Sequence, residues 1–416
     1  MKPLPFLKAD AAKASSPSQP YKWLNHNVAG MGLTSLLSDA GHESATAVLP
    51  AFLSAIGASP IALGVIEGVS DAVASFVKLG AGWYSDRIGH RKPIAVAGYF
   101  LTGVATALFA FAWSWPLVLV GRVLGWFGRG IRGPLRDAML AESVSPEDTG
   151  KAFGFHRAGD TLGAILGPLL AVLVIGYLEA APQADPSQPF RVVFLLTLIP
   201  GVGSALAFAF MVTEQRRPAN HQLRFWASVR ALPQHYKRFL IGVGVFGLGD
   251  FAHTLLILRA TELLTPEFGV THAAQLAALL FTLRNVFYAL ASYPIGALSD
   301  TVGRRGLLAL GYLAAVVMCL GFLFPVSSLW YLGVLFALAG TYIAVEDALE
   351  GAIAADLLPP DVRGLGYGVL GTVNGLGDLI SSVIVGLLWT HLTPIAGFAY
   401  AAVLGLAGAL LVVRIR

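Results

Sequence analysis

A ten-residue stretch that returns 214 positions on, identical at five of its places, constrains this chain more than anything else in it. Gly82–Arg91 reads GWYSDRIGHR and Gly296–Arg305 reads GALSDTVGRR, which sets Asp86 against Asp300, Gly89 against Gly303 and Arg91 against Arg305. The same offset carries Ala141-Glu142, Pro146, Gly150 and Gly154 onto Ala355-Asp356, Pro360, Gly364 and Gly368 without a gap. One short motif matching by chance would not hold register over that distance, so the chain reads as two homologous halves of about 200 residues each.

What the halves are made of follows from their polarity. Charged residues make up 12% of the chain, against roughly 25% in soluble domains, and the mean hydropathy is +0.70. Most of the chain has no water to face, which marks an integral membrane protein. The one cysteine, Cys319, excludes an internal disulfide and a cysteine-cluster metal site. A net charge of +4 does not call for a nucleic-acid partner, because basic residues in cytoplasmic loops account for it.

Twelve apolar stretches follow one another, each near the ~20 residues needed to cross a ~30 Å hydrocarbon layer. They cover 27 to 55, 60 to 84, 93 to 113, 115 to 141, 150 to 178, 190 to 213, 238 to 263, 270 to 298, 306 to 325, 328 to 357, 363 to 390 and 392 to 413. Backbone groups in lipid must bond within their own segment, and no alternating strand pattern is present, so the spans should be α-helices. The expectation is an all-α membrane protein with twelve transmembrane helices in two pseudo-symmetric six-helix bundles. Residues 1–22 read as a polar cytoplasmic tail, 23–213 as the first bundle, 214–237 as a cytoplasmic linker and 238–416 as the second bundle. Lysine and arginine gather on one side, among them Lys2, Lys8, Arg87, Arg91, Lys92, Lys151, Arg216, Arg217, Arg304, Arg305 and Arg363, with little beyond Arg191 opposite. That asymmetry predicts a multi-pass protein of the cytoplasmic (inner) membrane with both termini in the cytoplasm.

At this point the chain resembles the major facilitator superfamily. The loop after the second span carries that family's G-x-x-x-D-R-x-G-[RH]-[RK] signature as Gly82, Asp86, Arg87, Gly89, His90 and Arg91, and a degenerate copy with Asp300, Gly303, Arg304 and Arg305 follows the eighth. The resemblance implies a gating role for these residues, and the chemistry suits it: carboxylate and guanidinium groups beside helix ends can clamp neighbouring helices in one access state. On the fifth span, Gly163, Gly167 and Pro168 are similar to part of a motif of the family's drug:proton antiporters, with Leu169-Leu170-Ala171 following the proline, and are counted with the gating set.

Ionisable residues inside the spans are the sharper signal, since each costs at least ~2.5 kcal/mol at a helix centre and persists only when paired or facing water. The first span holds Asp39, His42 and Glu43, and the fourth Arg122, Arg129, Arg132 and Arg136. The seventh holds Asp250 and His253, and the tenth Glu346, Asp347 and Glu350. In the resembled family these four helices line the central cavity. Asp39, His42 and Glu43 share one helix face by their spacing, as do Arg129, Arg132 and Arg136, and the D-x-x-H of Asp39 and His42 returns in Asp250 and His253. The 214-residue register sets Arg132 against Glu346 and Arg136 against Glu350, predicting an ion-pair network across the two halves.

From this set, Asp39 or Glu43 could load and release a proton as access alternates, with His42 and His253 as relays. Arg129 and Arg132 would neutralise those carboxylates or bind an anionic part of the cargo. His156, Arg157 and Asp160 fit gating or local pairing, Asp378 is a further cavity candidate, and Glu67, Asp71, Lys78 and Arg284 fit packing equally well. Three G-x-G-x-x-G runs, at 128–133, 242–247 and 366–371, follow no strand, so a dinucleotide site is not indicated and close helix packing is. No phosphate loop or catalytic motif is present, so the chain reads as no enzyme, without cofactor, drawing on an ion gradient. The reading is a monomeric secondary transporter exchanging a small-molecule substrate and protons across the lipid bilayer by alternating access, in the direction of export. An alternative is a divalent transition-metal exporter using Asp39, His42, Glu43, Asp250 and His253 as ligands. Of another class is a membrane receptor or scaffold that moves nothing.

Overall fold

The computed structural model describes residues 23–88, 90–145, 148–179, 185–214, 232–358 and 363–414, and within them the side chains of all but 82–88, 149–150, 179, 300 and 363–365. The first half contains α1 (His26–Ala55), α2 (Pro60–Ile88), α3 (Lys92–Ala107), α4 (Trp115–Glu142), α5 (Thr149–Glu179), α6 (Gln188–Leu196) and α7 (Leu198–Met211). The second contains α8 (Gln234–Gly247), α9 (Thr254–Val302), α10 (Arg304–Gly321), α11 (Leu329–Leu357), α12 (Arg363–His391) and α13 (Pro394–Arg414). No strand occurs among the described residues. Local chemistry sets several starts: the Asn25 side chain accepts from the Val28 N–H at 3.1 Å to cap α1, and prolines occupy the first turns of α3, α4 and α6, where no N–H is needed.

These pieces make twelve spans, and three of the helices depart from single straight rods. The sixth span is α6 followed by α7: Pro200 has no N–H to offer the Leu196 carbonyl, and the helix breaks at Thr197. The seventh span is α8 continued by the first run of α9, interrupted at 248–253. The eighth is the second run of α9, after a bend at Gly269, whose φ of 75° is costly for any other residue. The start of α8 at Gln234 lies inside the stretch read as linker, and Tyr236 there is fully buried, donating to the Gly366 carbonyl at 2.8 Å. The rest of that stretch, 215–231, lies outside the described residues.

Among the described residues, nine helices or helix pairs are long and apolar enough to cross a membrane. The helices that fall short do so for informative reasons: α8 has only 14 residues, while α1 and α4 are long enough but too polar. These last two are the helices that carry Asp39, Glu43 and the four arginines. Trp330 at 88% exposure and Tyr177 and Tyr293 at 84% would be untenable in water but suit the two interfaces of a bilayer.

Within each half the helices pack at backbone distance, and between halves α2 lies against α12 and α5 against α9. The two ends of the molecule are built differently. At the end away from the termini, Val48, Leu49 and Phe52 of α1 belong to the same buried cluster as Leu255, Leu258 and Phe281 of α9. At the termini end the first half has its own cluster of Val28, Met31, Tyr99, Leu135 and Phe208, which no second-half residue joins. Outside the spans, a hydrogen bond from Lys151, 2.6 Å long, holds the Asp148 carboxyl below the usual carboxylate range, and the Ser187 backbone N–H does the same for Asp185.

Candidate translocation site

A cavity of about 390 Å³ lies between the halves. The first half contributes Glu67, Asp71, Ser75 and Lys78 of α2 and Trp126 of α4. The second contributes Asp250 and His253 from the interrupted seventh span, Arg284 of α9, Tyr342, Glu346 and Asp347 of α11, and Tyr367, Asn374 and Asp378 of α12.

The interruption exists because neighbours take over its backbone bonds. Ser381 donates to the Asp250 carbonyl at 2.5 Å and Ser382 accepts from the Ala252 N–H at 2.9 Å. Non-helical backbone at membrane depth is tolerated only with such replacements or beside water. Asp250 and His253 therefore sit on an unwound segment rather than a helix face. Tyr342 donates to Asp250 Oδ1 at 3.0 Å, and the Glu346 carboxyl comes within hydrogen-bonding reach of Asp250. Glu346 Oε2 is itself buried with no partner. The His253 ring stacks on Phe281 with centroids 5.1 Å apart, leaving Nε2 unpaired. Asp347 accepts from Tyr288 at 2.7 Å, while Glu350, behind the cavity wall, accepts from Tyr312 at 2.5 Å and Asn374 at 2.7 Å.

On the other side the acids meet arginines. Asp39 Oδ1 lies 3.3 Å from Arg129 Nη1, and Arg122 clamps Glu67 Oε2 at 2.9 and 3.2 Å, both members of the pair about 2% exposed. The guanidiniums of Arg122 and Arg129 stand 5.7 and 5.4 Å from the centre of the Trp126 ring, against whose edge His42 packs. Arg132 donates to Ser38 at 2.6 Å and lies over Tyr99 at 4.0 Å. Asp39, His42, Glu43, Arg129 and Arg132 do not line this cavity; His42 and Arg129 pack on its Trp126, and Glu43 Oε2 is buried and unpaired.

Two expectations change at this point. Arg132 and Arg136 do not reach Glu346 and Glu350: Arg136 pairs with its neighbour Asp137 at 2.8 Å, Arg132 donates to Ser38, and Glu350 is held by Tyr312 and Asn374 of its own half. The register of the repeat is right, but the two faces are separated by the cavity. No group of three or more His, Cys, Asp or Glu able to hold a metal occurs among the described residues, so Asp39, His42, Glu43, Asp250 and His253 do not form a ligand set. The cavity also uses residues whose sequence signal was ambiguous. Glu67, Asp71, Ser75 and Lys78 make one polar stripe at steps of four, four and three, and Asn374 and Asp378 another at four, patterns that a scan of α2 and α12 for one-faced polarity detects.

Among the gating candidates, the side chains of Gly82, Asp86, Arg87 and Asp300 lie outside what is described, as does Gly89 altogether. Arg91 pairs with Glu142 at 2.5 Å and its backbone N–H bonds Glu214, while Arg304 pairs with Asp356 at 2.7 and 2.8 Å. Glu142 and Asp356 are equivalent in the repeat, so both halves tie the loop to the end of α4 or α11, with the arginine displaced by one position. Gly303 has a φ of 94°, a conformation that side chains other than glycine's rarely adopt. Gly163 and Gly167 let α5 touch α1: an added Cβ would lie 2.5 Å from the Leu36 and Ala40 carbonyls respectively, and Ser44 donates to the Gly167 carbonyl at 2.7 Å. Pro168 follows within α5. His156 meets Ser35 at 2.5 Å and Asp160 at 3.5 Å, a local link between α5 and α1.

The family model for the Major Facilitator Superfamily matches residues 31–258 and again 239–416, once per half. An uncharacterized MFS-type transporter of Methanocaldococcus jannaschii is 33% identical over 392 residues, 94% of this chain and 95% of its own. A probable 4-methylmuconolactone transporter of Cupriavidus pinatubonensis is 27% identical over 360 residues, covering 83% of this chain and 79% of that one. Among solved structures, a variant of the nucleoside transporter NupG superimposes with a TM-score of 0.76 at 12% identity, over 94% of this chain and 98% of that one, a likeness of fold.

Proposed function

The chain belongs to the major facilitator superfamily, and from that premise we propose that it exports a small organic molecule in exchange for protons, from the cytoplasmic membrane of the cell with both termini in the cytoplasm. Membership makes it a multi-pass secondary transporter and not an enzyme. The halves, 23–213 and 238–416 with a cytoplasmic connection between, rock about the cavity they share. Apolar side chains of both halves that join one cluster at the end away from the termini support a cavity open toward the cytoplasm.

One observation carries the proton coupling: the carboxylates of Asp250 and Glu346 meet in the cavity, and among the described side chains only a phenol, that of Tyr342, donates to Asp250. A hydroxyl can donate to an ionised carboxylate or accept from a protonated one, so the pair can take up and give back a proton without losing its partner. Asp39 sits beside a permanent arginine charge instead, which suits positioning. Gly163 and Gly167, which seat α5 on α1, support the direction of export through their likeness to the antiporter motif.

Reconstitution into liposomes with a lumenal pH dye tests this reading. An imposed pH gradient should drive uptake or release of an organic compound with opposite proton movement. Asp250→Asn and Glu346→Gln should abolish the gradient-driven component, a fall on the order of a hundredfold, while downhill exchange persists. Full coupling in both variants overturns the assignment.

A further inference from the structure

The charge balance of the cavity singles out its cargo, given the reading of that cavity as the transport path. Six carboxylates line it, those of Glu67, Asp71, Asp250, Glu346, Asp347 and Asp378, against the cations Lys78 and Arg284. Phenols serve Asp250 and Asp347, but the carboxyls of Asp71 and Asp378 have no hydrogen-bond partner among the described residues. These two approach from opposite halves. The Asp71 carbonyl lies 3.3 Å from where a Cβ on Gly375 would sit, so α2 and α12 touch within one helical turn of Asp378.

A second observation points to a missing donor. Glu67 is about 2% exposed and lines the cavity, yet only its Oε2 is taken up by Arg122; Oε1 has no partner. A buried carboxylate oxygen left unsatisfied is costly, and a ligand that brings an N–H or a positive charge removes the cost. The cavity walls add Trp126, Phe251, Tyr342 and Tyr367, and aromatic faces attract cations.

We propose that the cargo is an organic cation whose charged nitrogen sits between Asp71 and Asp378, with an apolar body against Trp126 and Tyr367. Because each carboxylate belongs to a different half, rocking alters their separation and so the hold on the cation. Loading on one side and release on the other then need no further device.

Equilibrium binding to the full-length protein in detergent, at one pH and without a gradient, tests the cargo separately from proton coupling. Ethidium, followed by fluorescence polarisation, should bind and be displaced by tetraphenylphosphonium but not by benzoate or glucose. Asp71→Asn and Asp378→Asn should each weaken ethidium about tenfold or more, Asp71→Glu should retain most of the affinity, and Lys78→Gln, which removes a like charge from the cavity, should tighten it. Thermal unfolding reports whether each variant is folded, and where one is not, the competition series on the unmodified protein decides the charge class. Benzoate binding that depends on Lys78 or Arg284, or ethidium affinity unchanged when Asp71→Asn and Asp378→Asn are combined, overturns the proposal. Ethidium binding that survives alongside a failure of proton coupling in liposomes would strike the coupling reading and leave the cation site standing.

Discussion

Buried acids on the two sides of the cavity are kept by different means. In the first half three of them are held by arginine, Arg129 on Asp39, Arg122 on Glu67 and Arg91 on Glu142, while Glu43 and Asp71 have no such partner among the described residues. In the membrane core of the second half they are held by neutral donors: Tyr342 on Asp250, Tyr288 on Asp347, Tyr312 and Asn374 on Glu350. An arginine partner fixes the carboxylate as an anion, since removing either charge strands the other in low dielectric. A phenol or amide partner does not demand ionisation. The two bundles share one helix order, yet the paired acids of the first are matched to fixed positive charges and those of the second to neutral donors.

The comparison breaks most visibly at Arg122. Replacing it with leucine leaves Glu67 buried and unpaired, which should cost about 3–5 kcal/mol, measured as unfolding free energy in mixed micelles. The paired replacement Glu67→Gln with Arg122→Met should recover most of that loss. An Arg122→Leu variant as stable as the parent would mean that water reaches Glu67. On the second side the corresponding change is milder: Tyr312→Phe removes one donor from Glu350 but leaves Asn374, so about 1–2 kcal/mol is expected. A loss as large as at Arg122 would show Glu350 to be a permanent anion and erase the contrast between the halves.

How much of this could be read in the amino-acid order depends on which physics set each feature. The two-bundle fold was legible because the bilayer demands long apolar helices and the repeat keeps its register over each half. The loop-to-helix ties were half legible: Arg91 and Glu142 recur as Arg305 and Asp356, yet the arginine that closes on Asp356 is Arg304. The charge clusters on α1 and α4 were legible as clusters, but not which of them line the cavity: Trp126, an apolar residue of the same helix as the arginines, lines it while Asp39, His42 and Glu43 do not. The unwinding at Asp250 depends on Ser381 and Ser382, about 130 residues away, and helical periodicity cannot report a hydrogen bond made by another helix.

The smallest expected effect is the one the repeat alone would have made large. Matching Arg132 with Glu346 across the pseudo-twofold predicts coupling, since residues in one ionic network are non-additive in double-mutant cycles. In the structure Arg132 is spent on Ser38 and the face of Tyr99, while Glu346 lies beside Asp250 on the far side of the cavity. Arg132→Ala and Glu346→Ala should each alter stability, but together they should add to within about 0.5 kcal/mol. A coupling above about 1 kcal/mol would require the halves to visit an arrangement in which α4 and α11 meet. Repeating the cycle with a saturating cation present then separates the two cases: closure around cargo would create coupling absent from the empty protein, whereas a fixed frame would stay additive under both conditions.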